Sequence, residues 1–355
     1  MIICGEITYM FFPAAPQRFR KRADFATPGK EEYSKEKRKS LPVSAEAAMT
    51  STKPSIKGLF QEWEYENPAP CGIVVGVDGS AESMAAFNTA ATLARTRKCA
   101  MHVVSVIPVF PDYRIDPQHE GARNVEELRV QLRESSIRDM FHAVGGEKEK
   151  WTYQVIIGRP AEALARIADE RRADLVILGR RDHGVLDRLV SGETSLQVMR
   201  LSSVPVLAVP SDLERADNIV VASDFSPASE RAAKIAVELA RKSGAVYLVY
   251  VEPPADFLPG GFTLPDEPQS SEGVSVRFRR LIKALDVPEG MRVESVVLNG
   301  KPVRAVLEFA YRVGADMIAA GSHGHTRLQR LILCSVSSGL VRNAACSVLV
   351  VPPAT

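Results

Sequence analysis

The chain has 355 residues, of which 45% are hydrophobic and 25% are charged, and this composition is typical of a globular protein with two or three domains. The formal net charge of +2 is close to zero for this length, so it gives no argument for a nucleic-acid or membrane-surface partner. No apolar run approaches the roughly 20 residues that span a bilayer. The five cysteines form no C-x-x-C pair, which predicts reduced thiols and a cytoplasmic protein.

Residues 1–70 precede every part of the chain that repeats. Residues 2–12 are apolar but contain Glu6, and the basic cluster at 18–22 follows them, which is the reverse of a secretory signal. Residues 24–44 are charged and proline-containing, so the whole segment predicts a disordered extension. Met49 offers an alternative translation start, and in that interpretation most of the segment is a gene-model extension.

Strands and helices alternate from about residue 71. The first strand, residues 72–77, is apolar and β-branched, ends in Asp78-Gly79-Ser80, and precedes a helix that runs to Thr96. Alternation of this kind predicts right-handed βαβ units and a parallel sheet. The further strands are predicted at 101–107, 153–157, 175–178 and 204–209, and the further helices at 122–143, 161–171 and 194–200. The helix at 122–143 is predicted to face the sheet with Val125, Leu128, Leu132 and Met140.

The chain carries this pattern twice. Residues 173–210 match residues 315–352 at a constant offset of 142, so that Gly179 corresponds to Gly321. A long-period solenoid would need at least about three repeats to bury its core, so two tandem domains are the better interpretation. The strands of the second copy are predicted near 218–223, 245–251, 292–298, 316–320 and 346–351. The long loop at 252–273 is predicted to be disordered, with a lid as the alternative.

Each copy resembles a domain of the universal stress protein family. The first strand ends in Asp, a G-x-P turn follows the third strand, and a glycine turn follows the fourth strand. In the second copy this turn is Gly321-Ser322-His323-Gly324, and after nine intervening residues Cys334-Ser335 begins the last helix. The resemblance covers about 285 residues. It implies an α/β fold with two tandem Rossmann-like (adenine nucleotide alpha hydrolase-like) domains, at 71–211 and 216–353, each a five-stranded parallel sheet flanked by helices.

The resemblance also implies an adenine-nucleotide site in each copy. ATP-binding members of the family hold adenosine with the Asp and a second-strand backbone position, and hold phosphates with the glycine turn and the helix start. In the second copy these positions are Asp224 and Val251 for adenosine, and Gly321, Gly324, Cys334, Ser335 and Ser337 for phosphates. In the first copy they are Asp78, Val106, Gly179 and Gly192. The implied cofactor is ATP or another adenine nucleotide, with Mg²⁺ as its accompanying ion.

Both copies depart from the family pattern. Cys334 replaces a glycine where the backbone should approach the phosphate most closely. In the first copy, Asp182 and Glu193 occupy the positions of a turn glycine and of a Ser or Thr, and two carboxylates there would repel a triphosphate. We therefore expect the better preserved site in the second copy. A nucleotide-free interaction module, with both sites degenerate, is the alternative.

Other chemistry-bearing groups form weaker patterns. His323-Gly324-His325 resembles the H-x-G-H signature of nucleotidyl transferases, but it follows the fourth strand instead of the first. The spacing of these histidines to Cys334 and Cys346 fits no compact zinc pattern, and Cys346 begins an apolar strand as a buried structural thiol would. We expect no metal site and a non-catalytic protein, with slow ATP hydrolysis as a less favoured alternative.

The last strand of each copy predicts how the copies pair. In the family this strand lies at the sheet edge and pairs antiparallel with the same strand of another domain, which covers the edge. Two copies in one chain satisfy that pairing internally, so we expect a pseudo-twofold, dimer-like monomer. Further homodimerisation stays open, and the sequence names no protein partner.

Overall fold

Strands and helices alternate along most of the chain in the computed structural model, which describes residues 8–10, 72–108, 120–149, 151–180, 193–252, 271–322 and 335–353. These residues belong to one compact unit, Met1–Phe12 with Pro68–Thr355. The other unit, Pro13–Asn67, lies outside them, and with it most of the predicted N-terminal extension. The described part of that extension is a short strand, β1 (Thr8–Met10), which the sequence did not predict.

The first copy contains all the strands and helices that the sequence predicts. They are β2 (Ile73–Gly76), α1 (Ala81–Arg97), β3 (Met101–Pro108), α2 (Glu120–Ala143), β4 (Thr152–Gly158), α3 (Pro160–Glu170), β5 (Leu175–Gly179), α4 (Glu193–Leu201) and β6 (Val206–Val209). A short 3-10 helix, Gly146–Lys148, precedes β4. The helix starts follow local chemistry: Ser80 caps α1 with its side chain, and Pro160 opens α3 where no backbone N–H is needed.

The second copy repeats the same order. Its elements are β7 (Ala216–Ala222), α5 (Pro227–Leu239), β8 (Ala240–Glu252), α6 (Ser271–Lys283), β9 (Arg292–Asn299), α7 (Pro302–Arg312), β10 (Met317–Gly321), α8 (Ser335–Asn343) and β11 (Ser347–Val351). β8 begins directly after α5, earlier than the predicted residue 245, and its register with β7 shifts between Ala216 and Asn218. The predicted loop at 252–273 gives its ends to β8 and α6, and the rest of it lies outside the described residues.

The eleven strands among the described residues form one sheet, in the order β1-β9-β8-β7-β10-β11-β6-β5-β2-β3-β4. Every neighbouring pair is parallel except β11 with β6, which is antiparallel and joins the two copies. In this pair Leu349 lies opposite Leu207, its equivalent at the offset of 142, as a pseudo-twofold axis requires. The predicted internal pairing of the final strands is therefore present.

The core consists of two apolar layers, one on each face of the sheet. Along β2, Ile73 and Val75 belong to one layer and Val74 to the other, and all three are at most 2% exposed. Strands buried on both faces need continuous apolar runs, which explains why their sequences do not alternate. Each layer contains residues of both copies.

Helix α2 differs from its prediction. Val125, Leu128 and Leu132 were expected to face the sheet, but they are 51%, 53% and 62% exposed, so that prediction was wrong for these three residues. Met140 is buried as expected, together with Ile137. The helix therefore packs through its C-terminal half, because an apolar stripe shows which face is apolar but not how much of its length a sheet covers.

Candidate functional site

The carboxyl ends of the parallel strands carry a cleft in each copy, which is where ligands bind in open α/β sheets. In the first copy the cleft encloses about 600 Å³ and is lined by Asp78, Val106 and Gly179. The structure thus brings together three of the four predicted site residues of this copy, whereas Gly192 lies outside the described residues. The volume falls within the roughly 300–1,000 Å³ that is usual for small-molecule sites.

The second-copy cleft is smaller, at about 130 Å³. It is lined by the predicted residues Asp224, Val251, Gly321 and Ser337. Ser335 begins α8 as an exposed residue and is not part of this lining. The predicted Gly324 and Cys334 lie outside the described residues.

The aspartate at the end of each first strand also organises the following helix. Asp78 Oδ1 accepts hydrogen bonds from Ser80 N at 2.9 Å and Ser80 Oγ at 2.6 Å. Ser80 Oγ in turn accepts from Ser83 N at 3.2 Å as the N-cap of α1. In the second copy Asp224 Oδ1 accepts from Ser226 N at 3.0 Å in the same way. These aspartates therefore have a structural role that needs no ligand.

Packing also explains why a glycine stands at the end of the fourth strand in each copy. A Cβ on Gly179 would lie 2.5 Å from the carbonyl oxygen of Glu82 and 2.7 Å from the backbone nitrogen of Ser83. A Cβ on Gly321 would lie 2.9 Å from the backbone nitrogen of Ser229. In each copy the fourth strand ends against the first turn of the helix after the first strand, so only glycine fits there.

An aromatic cluster beside the second-copy cleft was missed by sequence analysis. Phe225 stands where the first copy has Gly79, and its φ of 59° is left-handed, which costs a non-glycine residue about 1–3 kcal/mol. The ring packs on Tyr250 and Phe278, with centroids 5.3 Å and 5.0 Å away. Tyr250 itself lines the second-copy cavity. The Gly-to-Phe exchange between the repeats is the signal that could have revealed this difference.

Three arginines that the sequence did not single out line the first-copy cavity: Arg133, Arg180 and Arg342. A Cβ on Gly79 would lie 2.7 Å from Arg133 Nη1, so this guanidinium covers the turn after Asp78. The carboxylates in the same lining are those of Asp78 and Glu82. Among the described residues lining the second-copy cavity, the one charged residue is Asp224. Among the described lining residues, the first-copy cavity therefore carries more positive charge than the second-copy cavity, which favours an anion there.

Two hydroxyl residues at the start of α4 also face the first-copy cavity. Thr194 and Ser195 both line it, and Ser195 Oγ donates a hydrogen bond to the carbonyl oxygen of Gly179 at 3.3 Å. Ser195 corresponds to Ser337 at the offset of 142, so comparison of the repeats could have found it. The first four N–H groups of a helix have no intrahelical partner, so with nearby hydroxyls they are natural donors to phosphate oxygens. The N-terminal end of α4 is the end that lies at this cavity.

The thiol of Cys346 is not poised for chemistry. Burial raises its pKa to about 11, although the nearby Arg180 guanidinium acts in the opposite direction. A thiolate is the form that binds metals and attacks electrophiles, so this cysteine is a structural residue. Within the described ranges no group of three or more His, Cys, Asp or Glu side chains could hold a metal ion. None of the helices in these ranges combines the length and the hydropathy of a membrane-spanning segment.

Two tandem Rossmann-like domains, each with a cleft at the carboxyl ends of its strands, define the class of this chain. The Universal stress protein family model matches residues 72–210 and again residues 216–352. The chain belongs to the universal stress protein family.

Curated relatives match this chain across both copies. A universal stress protein of Mycolicibacterium smegmatis is 30% identical over 298 residues, which cover 79% of this chain and 97% of the relative. One of Mycobacterium tuberculosis is 30% identical over 303 residues, covering 79% and 94%. The crystal structure of a universal stress protein from Archaeoglobus fulgidus, 19% identical, covers 80% of this chain and 99% of its own at a TM-score of 0.59. A further universal stress protein, 24% identical over 39% of this chain and 97% of its own at a TM-score of 0.29, was solved in complex with cAMP.

Proposed function

We propose that this chain is a non-catalytic, cytoplasmic stress-response protein that binds an adenine nucleotide, such as ATP with its Mg²⁺, in the clefts of its two copies. The observation that carries the proposal is the first-copy cavity of about 600 Å³, in which Asp78, Val106 and Gly179 meet. In this arrangement Asp78 and the backbone of β3 hold the adenosine, and Gly179 with the start of α4 faces the phosphates. We expect at most slow hydrolysis of the bound nucleotide.

The two copies differ in how well each supports the proposal. The glycine-turn motif is better preserved in the second copy, and we propose its predicted residues, from Asp224 and Val251 to Ser337, as one nucleotide site. The first copy has more room, and its arginines counter the repulsion expected from Asp182 and Glu193. We therefore propose the first copy as the tighter site and the second copy as the weaker one.

A matched pair of substitutions tests both sites. Asp78→Asn and Asp224→Asn keep an Oδ1 acceptor for the turn but remove the charge that strengthens a hydrogen bond to a ribose hydroxyl. Loss of a charge-assisted hydrogen bond should weaken binding about tenfold. In calorimetric titrations with ATP and ADP, Asp78→Asn should weaken the tighter site and Asp224→Asn the weaker one. Wild-type protein that releases no nucleotide on denaturation and gives flat titrations with both ligands would overturn the proposal.

A nucleotide-free interaction module is the second candidate. The observation that favours it is that Asp78 and Gly179 are both explained by the capping and packing of α1, without any ligand. In that case the flat titrations would accompany a fully folded protein. Self-association through a further interface would then show as a dimer mass in light scattering.

A further inference from the structure

Part of the wall of the first-copy cavity belongs to the second copy. Val341 and Arg342, near the end of α8, line this cavity together with the first-copy residues. The antiparallel pairing of β6 with β11 brings the two copies together at this edge. The cavity is therefore complete only when the copies are paired.

Arg180 holds the end of α8 in place. Its side chain is 4% exposed, and it donates from Nη2 to the carbonyl oxygens of Ala344 at 2.8 Å and Cys346 at 3.1 Å. A weaker contact of 3.5 Å joins Nη1 to the carbonyl oxygen of Val341, the residue before Arg342. A cation at a helix C-terminus is also favoured by the helix dipole. Arg342 therefore projects from a fixed point of the cavity wall.

The second copy has no equivalent arrangement among its described residues. At the offset of 142, Arg342 corresponds to Arg200 at the end of α4, and Arg180 corresponds to Ser322. Arg200 is not among the described residues that line the second-copy cavity. Within the part of the chain that the structure describes, only the second copy thus contributes to the cleft of the other.

The two outer arginines of the first-copy cavity are available to a ligand. No hydrogen bond or ion pair joins the side chain of Arg133 or Arg342 to another described residue. Arg342 is exposed and Arg133 half-buried, so neither guanidinium has to break a contact with another described residue to meet an anion. The arginine fork matches the geometry of phosphate oxygens, which it binds in bidentate fashion.

We propose that the first-copy cavity is a composite anion site, in which Arg342 of the second copy and Arg133 of the first contact the phosphate groups of the bound nucleotide. This inference rests on the proposed nucleotide function and names the residues that select the charged part of the ligand. The carboxylates of Asp78 and Glu82 line the same cavity and balance part of the charge of its arginines. The negative charge of the ligand would balance the remainder.

The test uses Arg342→Gln in the full chain, with Arg200→Gln at the equivalent position as the matched control. ATP, adenosine and inorganic pyrophosphate are titrated by calorimetry at low salt. Arg342→Gln should weaken ATP about tenfold at the tighter site, as expected for one lost charge-assisted contact, and leave adenosine unchanged. Arg200→Gln should leave both unchanged, and Arg133→Gln should behave as Arg342→Gln does.

The three ligands separate failure of this inference from failure of the nucleotide proposal. Unchanged ATP affinity in Arg342→Gln, or an equal loss for ATP and adenosine, would overturn the composite site while nucleotide binding stands. Should the wild-type chain bind no ATP, pyrophosphate binding that disappears in Arg342→Gln and persists in Arg200→Gln would support an anion site without a nucleotide. A wild-type chain that binds neither ATP nor pyrophosphate would overturn both.

Discussion

Replacing Arg180 with Met should weaken the contact between the two copies more than any surface substitution. The side chain is buried, and its Nη2 donates hydrogen bonds to the carbonyl oxygens of Ala344 and Cys346. Met fills similar volume but donates nothing, so two backbone acceptors at the end of α8 lose their charged donor. The substitution isolates the hydrogen bonds from the packing.

The expected cost follows from two opposing effects. Leaving a buried acceptor unsatisfied costs about 1–3 kcal/mol, so two such carbonyls suggest about 2–6 kcal/mol. Removing a buried guanidinium also removes its desolvation penalty, which offsets part of that loss. We expect the free energy of unfolding to fall by about 3 kcal/mol in Arg180→Met.

The first copy suggests a rescue. Ser202 corresponds to Ala344 at the offset of 142, and its Oγ donates to the carbonyl oxygen of Val204 at 2.9 Å while accepting from Val204 N at 3.0 Å. Val204 corresponds to Cys346, so one copy uses a local hydroxyl where the other uses Arg180. Adding Ala344→Ser to Arg180→Met should therefore recover about 1 kcal/mol, the usual net value of one hydrogen bond.

Urea unfolding of the two single variants and the double variant forms a double-mutant cycle that measures this coupling. Arg159→Met serves as the surface control, because the Arg159 side chain is 80% exposed in its ion pair with Glu162 and should change stability by less than about 0.5 kcal/mol. The reasoning is refuted by an Arg180→Met variant no less stable than Arg159→Met, or by a cycle in which Ala344→Ser restores nothing.

Three further predictions concern single sites. Burial, and to a smaller extent Arg171, lowers the pKa of His102 from 6.5 to about 4. Between pH 7 and pH 5 the unfolded chain therefore binds a proton that the folded chain does not, and the free energy of unfolding should fall by about 2 kcal/mol. Urea titrations of His102→Gln should lack this pH-dependent loss. Because burial raises the pKa of Cys346 to about 11, native-state alkylation followed by mass spectrometry should be roughly a hundredfold slower than for an unperturbed thiol. In thermal unfolding scans, Gly179→Ala should lower the free energy of unfolding by about 2 kcal/mol because its Cβ clashes with α1, whereas Gly158→Ala, with no atom within 4 Å of the new Cβ, should be neutral.

The order of strands and helices could be predicted from the sequence because strands buried on both faces need unbroken apolar runs. The repeat then supplied an independent check, since each element appears twice. Three features depend on packing that no local pattern encodes: the early start of β8 at Ala240, the edge strand β1 against β9, and the exposed half of α2. In each case the sequence shows an apolar or β-prone segment but not the neighbour that it meets.

Sequence analysis could predict the candidate site only for residues that belong to the family motif within the same copy. Asp78, Val106 and Gly179 follow from the family pattern and do line one cavity. Arg342 belongs to the other copy. It lies beside the first-copy cavity only because β6 pairs with β11, and no local sequence pattern shows that contact. A position-by-position comparison of the repeats would show that Arg180 corresponds to Ser322, but it would not show that Arg180 binds the end of α8.

Covalent duplication explains why this asymmetry is tolerated. In a symmetric dimer of identical domains every contact across the axis occurs twice, so a residue such as Arg180 would have to fit both sides. In this chain the first copy supplies Arg180 and the second supplies the acceptors at Ala344 and Cys346, while Ser202 satisfies the equivalent group of the first copy locally. Because Arg180 also lines the first-copy cavity, ligand binding there and the pairing of the copies share one side chain, and linkage makes any coupling between them reciprocal. Arg180→Met should accordingly weaken ATP binding at the tighter site in calorimetric titrations and leave the weaker site unchanged. Unchanged ATP affinity at the tighter site would show that ligand binding and the pairing of the copies are independent, and equal losses at both sites would show a general effect on the fold.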